Sequence, residues 1–437
     1  MLRGSISFLF FSVAALATPT FNKDVLPILQ KNCQECHRPG EVAPMSLLTY
    51  KDARPWAKAM KSAVLDKKMP PWFAEPQSRH FVNERRLTQD QVDTLVAWAD
   101  NGAPEGDVKD RPAPITFKDG WSIKPDVVVE MMHDFPIPAK GTVEYQWVVA
   151  KANFTEDTWV TAAEIRPGNR QATHHERVYI RPPGSHFLEG AEPGVPLDEK
   201  AIAALGARRP EQSGRKEPPV ETFVKWNPGL NEMVFSADGA AKLIPKGSDI
   251  VFQMHYTATG QPTSDRSRVG FVVAKNPPQR RYVTTGSVSG GPLVIPPGDP
   301  NYASVSEITV EKDTKLIWLQ PHMHVRGKDY ELRAIYPTGE TETLLKTKFD
   351  FNWQIGYEFE KPVLLPKGTK LIGTAHFDNS PNNKFNPDPT ATVRFGEQSW
   401  EEMNVCFMSV IVDSGTDPET LFKRPKAAPP VPSLVIE

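Results

Sequence analysis

Cysteine is nearly missing from this chain, with three in 437 residues. Cys33 and Cys36 stand close together and only Cys406 remains, so no disulfide framework holds the rest of the fold. No second cysteine pair stands at metal-ligand spacing, which excludes a four-cysteine zinc site. Charge of one sign is missing too: the formal net charge is −2, and no basic face marks a nucleic-acid partner. Long apolar runs are absent apart from residues 6–16, too few to span a bilayer. That run follows Met1-Leu2-Arg3 and ends in Ala15-Leu16-Ala17, the layout of a cleaved export signal. These features predict a signal peptide over 1–17, no transmembrane anchor in the mature chain, and a periplasmic or secreted location.

What is present begins with Cys33-Gln34-Glu35-Cys36-His37. C-x-x-C-H is the attachment signature of haem c. Two thiols at this spacing can each add to a vinyl group of one haem, and the adjoining His37 can reach the iron. Apolar residues at Phe21, Val25, Ile28 and Leu29 predict a helix leading into the motif. A second helix is predicted over 52–65 and a third over 88–100. In the third, Thr88 and Gln91 can form a capping box, Val92, Leu95, Val96 and Ala99 form an apolar stripe, and Gly102 stands just past the end. A helix before the motif and a helix closing the segment resemble a small class I cytochrome c over residues 19–106. The resemblance implies one covalently bound haem c on Cys33, Cys36 and His37, attached outside the cytoplasm, with a distal methionine. Met69, in Lys68-Met69-Pro70-Pro71-Trp72, is the expected distal ligand. Met45 is the alternative, and Met60 reads as a core residue of its helix.

Residues 107–119 read as a linker. Beyond it, short apolar or alternating runs are separated by Pro, Gly and Asn. They predict strands at 126–131, 143–150, 159–165, 177–180, 250–256, 268–273, 306–310, 315–319, 330–336, 370–376, 392–395 and 404–412. The 43 prolines fit loops and short strands better than long helices. Many short strands of this kind predict jelly-roll sandwiches. The span exceeds one sandwich, and the Pro- and Gly-rich residues 275–300 read as the seam. The expected fold class is therefore multidomain: a small all-α cytochrome c-like domain over 19–106, then two all-β jelly-roll sandwiches over 120–275 and 276–422. Residues 181–222 read as a polar insertion with a helical stretch near 198–205, and 423–437 as a disordered tail.

Ten histidines are present, and they cluster. His322 and His324 stand at i, i+2 after an apolar run, so in a strand both imidazoles face one side. That is a half-site awaiting a third donor; the alternative is a pair of exposed strand residues. His174 and His175 are adjacent, and in a regular strand they point to opposite faces. Both reach one metal only where the strand is bulged or ends. His255 lies in a predicted strand, where a lone histidine is more often a core residue than a ligand.

Four segments form a set: Arg166-Pro167-Gly168-Asn169 with Thr173-His174-His175; Gln253-Met254-His255-Tyr256; Pro321-His322-Met323-His324-Val325-Arg326-Gly327-Lys328; and Gly396-Glu397-Gln398-Ser399-Trp400-Glu401-Glu402-Met403. In this order, over residues 125–415, they resemble the copper type II, ascorbate-dependent monooxygenases, the family of peptidylglycine α-hydroxylating monooxygenase and dopamine β-monooxygenase. The resemblance implies two copper ions, one per sandwich, facing across a solvent-exposed gap. His174, His175 and His255 would hold the copper that takes electrons in. His322, His324 and Met403 would hold the copper where O2 binds and a C–H bond is hydroxylated. Imidazole suits copper, and a thioether favours Cu(I). The chain departs from the peptide-amidating branch at Gln320, Val405 and Phe407, so a glycine-extended peptide is not the expected substrate.

These observations converge on an exported copper-dependent monooxygenase acting on a small organic substrate with O2, its electrons delivered through its own haem. Ascorbate, a quinone or another cytochrome would be the upstream donor. The alternative is a non-catalytic haem–copper electron carrier or copper-binding protein. Haem as a structural group or peroxide sink is a third reading.

Overall fold

The structure is a computed structural model that describes residues 18–118, 120–206, 221–230, 232–288, 293–396 and 398–424, with side chains described outside 286–288. The expected signal peptide over 1–17, the expected tail from 425 onward, Asp119 of the linker and Glu397 lie outside the described residues.

Caps and prolines set the length of the N-terminal helices. A π-helical turn, Phe21–Val25, runs into the helix Leu26–Asn32, which ends at Cys33. The helix expected over 52–65 is split into Tyr50–Ala53, a 3-10 turn Arg54–Trp56, and Ala57–Leu65. Pro55 has no backbone N–H to donate, so the α-helical ladder fails there. The helix Gln89–Asp100 carries the predicted capping box, with Thr88 and Gln91 each accepting from the other's backbone N–H. Phe21, Val25, Leu29, Leu95 and Trp98 form the small core beneath these helices, with the Phe21 ring 5.5 Å from Tyr50 and 6.0 Å from Trp98.

The expected all-α cytochrome c-like domain is not shown. The molecule is 37% strand and 14% helix, and its N-terminal part holds four short helices separated by long irregular stretches. Residues 71–85 leave the helical part altogether. Ala74 bridges Thr347 and Phe81 bridges Phe359, while Trp72 and Phe81 bury their rings against Tyr357. Among the described residues, one compact unit comprises 18–39, Pro44–Pro70 and Arg86–Thr116; Gly40–Ala43, Pro71–Arg85 and the residues from Phe117 onward form the other. The expected linker is largely tied into the helical unit, where Arg111 bonds Asn22 and Glu105, and Gln30 donates to the Ala113 carbonyl.

In the β unit one large sheet runs Val127–Glu130, Arg268–Val273, Thr158–Arg166, Ala240–Ile244, Arg280–Val288, Val405–Asp413, Thr314–His322, Tyr357–Leu365, with Glu232–Val234 paired to Thr158–Arg166. A four-stranded sheet runs Gln146–Ala150, Asp249–Tyr256, Thr173–Arg181, Glu221–Trp226. A five-stranded sheet runs Thr341–Lys348, Gly327–Ile335, Lys370–Phe377, Tyr302–Val310, Phe422–Lys423. The large sheet backs both smaller ones and is buried on both faces. Leu316, Leu319, Met408, Val410 and Val412 enter one core; Ile317, Trp318, Ile411 and Tyr282 enter the other.

The expected seam at 275–300 is also corrected. Its strand Arg280–Val288 pairs parallel with Ala240–Ile244 and antiparallel with Val405–Asp413, so it joins the two halves through continuous hydrogen bonding. Turn-formers flank this strand, and they mask it in the sequence.

A chain ending at residue 275 would lose Tyr282, Ile317, Trp318 and Ile411 from the first core. At about 2 kcal/mol per large apolar side chain, that loss rivals the usual stability margin of about 5–15 kcal/mol. Residues 120–275 expressed alone are therefore expected to show no cooperative thermal transition. A sharp transition like that of the full chain would show that the halves fold independently.

Candidate metal centres

Adjacent strand residues diverge, yet His174 and His175 converge here because the strand is bulged between them. Thr173 pairs with Tyr256 and His175 with His255, and the register shifts at His174. The extra residue lets His174 turn its ring toward the face that His175 and His255 share. The Nδ1 atoms of His174 and His255 are 3.3 Å apart, and those of His174 and His175 are 3.1 Å apart. One nitrogen from each of the three rings lies within 4.8 Å of the others. Tyr145 stacks on His255 with ring centroids 4.5 Å apart and places its hydroxyl 3.1 Å from His175 Nε2.

His322 and His324 come from the end of Thr314–His322 and the turn beyond it. Their rings are 5.3 Å apart. His322 Nδ1 donates to Gln354 Oε1 at 2.7 Å, and His324 Nδ1 donates to the Glu401 carbonyl at 3.1 Å. Those bonds place the ring proton on Nδ1 and leave each Nε2 lone pair for a ligand.

Met403 reaches this pair through register. Gln320 pairs with Phe407 and His322 with Val405, the last pair of the ladder, and His324 and Met403 lie just beyond it on the two strands. A buried carboxylate fixes that end: Glu402 Oε2 accepts from the backbone N–H of His324 at 2.7 Å and of Met403 at 3.4 Å, and Oε1 accepts from Arg326 N–H at 2.7 Å. Burial pushes the Glu402 carboxyl up to about 8, against the pull of those N–H donors.

The two groups are neighbours in a largely dry region. His175, His322 and His324 are 2%, 3% and 1% exposed, whereas His174, His255 and Met403 are half-buried. The Phe351 ring lies 5.7 Å from that of His174 and 6.3 Å from that of His324, so a side chain occupies ground that the resemblance assigns to an open gap. Burial holds all of these histidines below the usual imidazole range: His174 and His175 in direction, His255 down to about 3 and His324 to about 4. After burial, neighbouring charge adds to the effect; His255 and His174 act on His175, and His174 and His324 act on His255. Neutral imidazoles with free lone pairs are what a soft or borderline cation binds.

In the helical unit, Cys33 caps the helix Leu26–Asn32, and the His37 N–H donates to the Cys33 carbonyl at 3.0 Å. This tight turn sets Cys33, Cys36 and His37 close together in the chain, with neither cysteine in a disulfide. Burial, then the Cys36 charge, pushes the Cys33 thiol up to about 12. His37 Nδ1 lies 3.3 Å from the Met45 carbonyl oxygen, which leaves Nε2 available. Met69 is half-buried, and its N–H donates to Ala63 O.

Sequence reasoning assigned no role to Gln354, Tyr145, Phe351 or Glu402. Glu402 lies inside the fourth motif segment and Tyr145 inside the strand predicted over 143–150; Gln354 and Phe351 lie in a stretch without a pattern. His376 pairs with Asp329 across strands at 2.6 Å, a structural contact away from the metal groups. Among the described residues no helix is long and apolar enough to cross a membrane.

No family model matches the chain, and no curated protein does. Among solved structures, the major capsid protein P2 of bacteriophage PM2 is 9% identical, with a TM-score of 0.27 over 67% of this chain and 99% of that one. The infectious bursal disease virus Gx strain structure is 7% identical, with a TM-score of 0.19 over 69% and 77%. An allantoicase is 10% identical, with a TM-score of 0.16 over 56% and 81%. Likeness at these scores carries no argument.

The depressed histidines give the metal-free protein a pH signature. A histidine whose folded pKa lies below its unfolded 6.5 stays neutral in the fold while the unfolded chain already binds a proton. Its contribution to stability is complete above pH 6.5 and is lost as pH falls toward about 4 for His324 and about 3 for His255. Each contributes a slope of ~1.4 kcal/mol per pH unit inside that window. Glu402, held protonated by burial, has the opposite slope as pH falls toward 4.5, so the net profile is a difference of the two effects. The loss of urea midpoint between pH 6.5 and 4 should be smaller in metal-free His255→Ala than in the native protein. A profile with the same slope in both would contradict a buried, neutral His255.

Proposed function

We propose that the chain is an exported copper-dependent monooxygenase that transfers one atom of O2 into a C–H bond of a small organic substrate, with electrons arriving through a haem c. The observation that carries this reading is the His174 bulge, which brings three neutral imidazoles within 4.8 Å of one another beside a second, separately oriented histidine pair. Three nitrogens suit copper in both oxidation states, and two nitrogens with a thioether suit Cu(I). The donor set therefore fits one copper on His174, His175 and His255 and another on His322, His324 and Met403. Copper at the second site supplies one-electron activation of O2.

The protein's own groups do the rest. Gln354 and the Glu401 carbonyl hold the His322 and His324 rings in one tautomer. Glu402 ties the two backbone segments that bring His324 and Met403 together. Burial excludes water, which protects a reactive oxidant from side reactions. In the helical unit, Cys33 and Cys36 would hold the haem and His37 Nε2 its iron, with the Met45 carbonyl orienting the imidazole. Met69 would be the iron's distal ligand, with Met45 the alternative. A covalently haem-bearing chain of this kind belongs outside the cytoplasm.

Electron delivery is tested by reducing the haem and mixing with O2. The copper-loaded protein should reoxidise its haem faster than the metal-stripped protein. Met403→Ile should slow the copper-dependent O2 consumption about tenfold or more, ~1.4 kcal/mol of barrier, with copper retained on the three histidines. Equal haem rates with and without copper would overturn the relay, and a carrier without catalysis would leave Met403→Ile unchanged.

A further inference from the structure

The strand that carries His175 carries Arg177 two residues on, and i, i+2 side chains share a face. Across the strands, Arg177 is opposite Gln253 on one side and Lys225 on the other. Basic side chains directly opposite one another destabilise a sheet. Burying them without a carboxylate costs more still. Neither has one. Among the described residues, Arg177 makes no hydrogen bond or ion pair, although it is half-buried; its guanidinium lies 5.0 Å from the centre of the Phe407 ring. Lys225 is 3% exposed, sits 3.3 Å from the centre of the same ring, and donates to Gln320 Oε1 at 3.0 Å. The neighbouring acid on the strand, Glu176, faces away and meets Ser267.

This basic pair is wired to the second metal group. Phe407 lies 5.9 Å from the His322 ring. Lys225 donates to Gln320 Oε1, Gln320 Nε2 donates to the Gln354 carbonyl at 2.7 Å, and Gln354 Oε1 accepts from His322 Nδ1. Arg177 is also the charge felt in common by His175, His255, His322 and His324. A guanidinium with no hydrogen-bond or ion-pair partner among the described residues, close to both histidine groups, is a recognition element for a planar anion.

We propose that Arg177, supported by Lys225, anchors an anion-binding subsite beside His322, and that the substrate is an organic anion whose carboxylate it holds. This rests on His322, His324 and Met403 being the centre that reacts with O2. A carboxylate on Arg177 fixes one end of the molecule and leaves its C–H bonds toward the metal group. Apolar rings at Phe407 and Phe351 flank that space.

The probe is hexanoate, compared with hexanamide as its neutral analogue and hexylamine as its cationic one. Equilibrium binding is measured on the full chain, metal-free and copper-loaded, so that coordination to copper is separated from the guanidinium. Hexanoate should bind about tenfold or more tightly than hexanamide in both forms, as a charge-assisted bidentate pair would, and hexylamine should not compete. Arg177→Gln should level hexanoate and hexanamide, and Arg177→Lys should restore part of the preference. Equal binding of hexanoate and hexanamide to the native chain, or a preference intact in Arg177→Gln, overturns the proposal. If Arg177→Gln fails to fold, the native comparison and Arg177→Lys still decide it. Copper content on the same samples keeps the two readings apart. Missing copper at His322 and His324 defeats the monooxygenase reading, whereas a lost anion preference with copper present defeats only the subsite.

Discussion

Two adjacent imidazoles on a regular strand cannot serve one ligand, because successive side chains leave the sheet on opposite faces. The bulge at His174 removes that obstacle, and the arrangement around it depends on the removal. With the bulge in place, His174, His175 and His255 share a face, Tyr145 stacks against them, and the residue two positions on, Arg177, falls on the same side. Without it His174 would point away, leaving two imidazoles and no three-nitrogen site.

The second constraint is the large sheet. Because it is buried on both faces, Thr314–His322 can send Leu316 and Leu319 into one core while Trp318, Gln320 and His322 look toward the four-stranded sheet. His174, His175, His255 and His322 therefore stand on strands, with His324 and Met403 just beyond strand ends. Burial of His175, His322 and His324 favours neutral imidazoles. Glu402 and Gln354 complete the arrangement from below, each tying backbone or ring to a single orientation.

Parts of this were legible in the sequence and parts were not. The capping box at Thr88 and Gln91 was readable because it is local. The strand Arg268–Val273 was readable because its apolar pattern and its turn-formers agree. Strand periodicity also showed that His174 and His175 can share one ligand only where the strand is bulged or ends; the structure has the bulge. By contrast, the all-α cytochrome c-like layout did not stand. Pro55 interrupts one helix, and the aromatic side chains of Trp72 and Phe81 find a larger apolar surface on the β unit. The strand Arg280–Val288 was hidden among turn-formers, and its parallel partner lies far away in sequence. Gln354 and Phe351 carry no pattern that marks them, since their roles arise only from contacts across the fold.

The central claim is that two separate copper ions bind, one to each histidine group. Copper stoichiometry of the purified protein tests it most directly, measured for the native chain and for His175→Ala and His322→Ala. The account predicts two coppers per native chain and one in each variant, with X-ray absorption showing sulfur scattering in His175→Ala but not in a Met403→Ile, His175→Ala double variant. A native chain holding a single copper, or single substitutions that each abolish all copper binding, would contradict it.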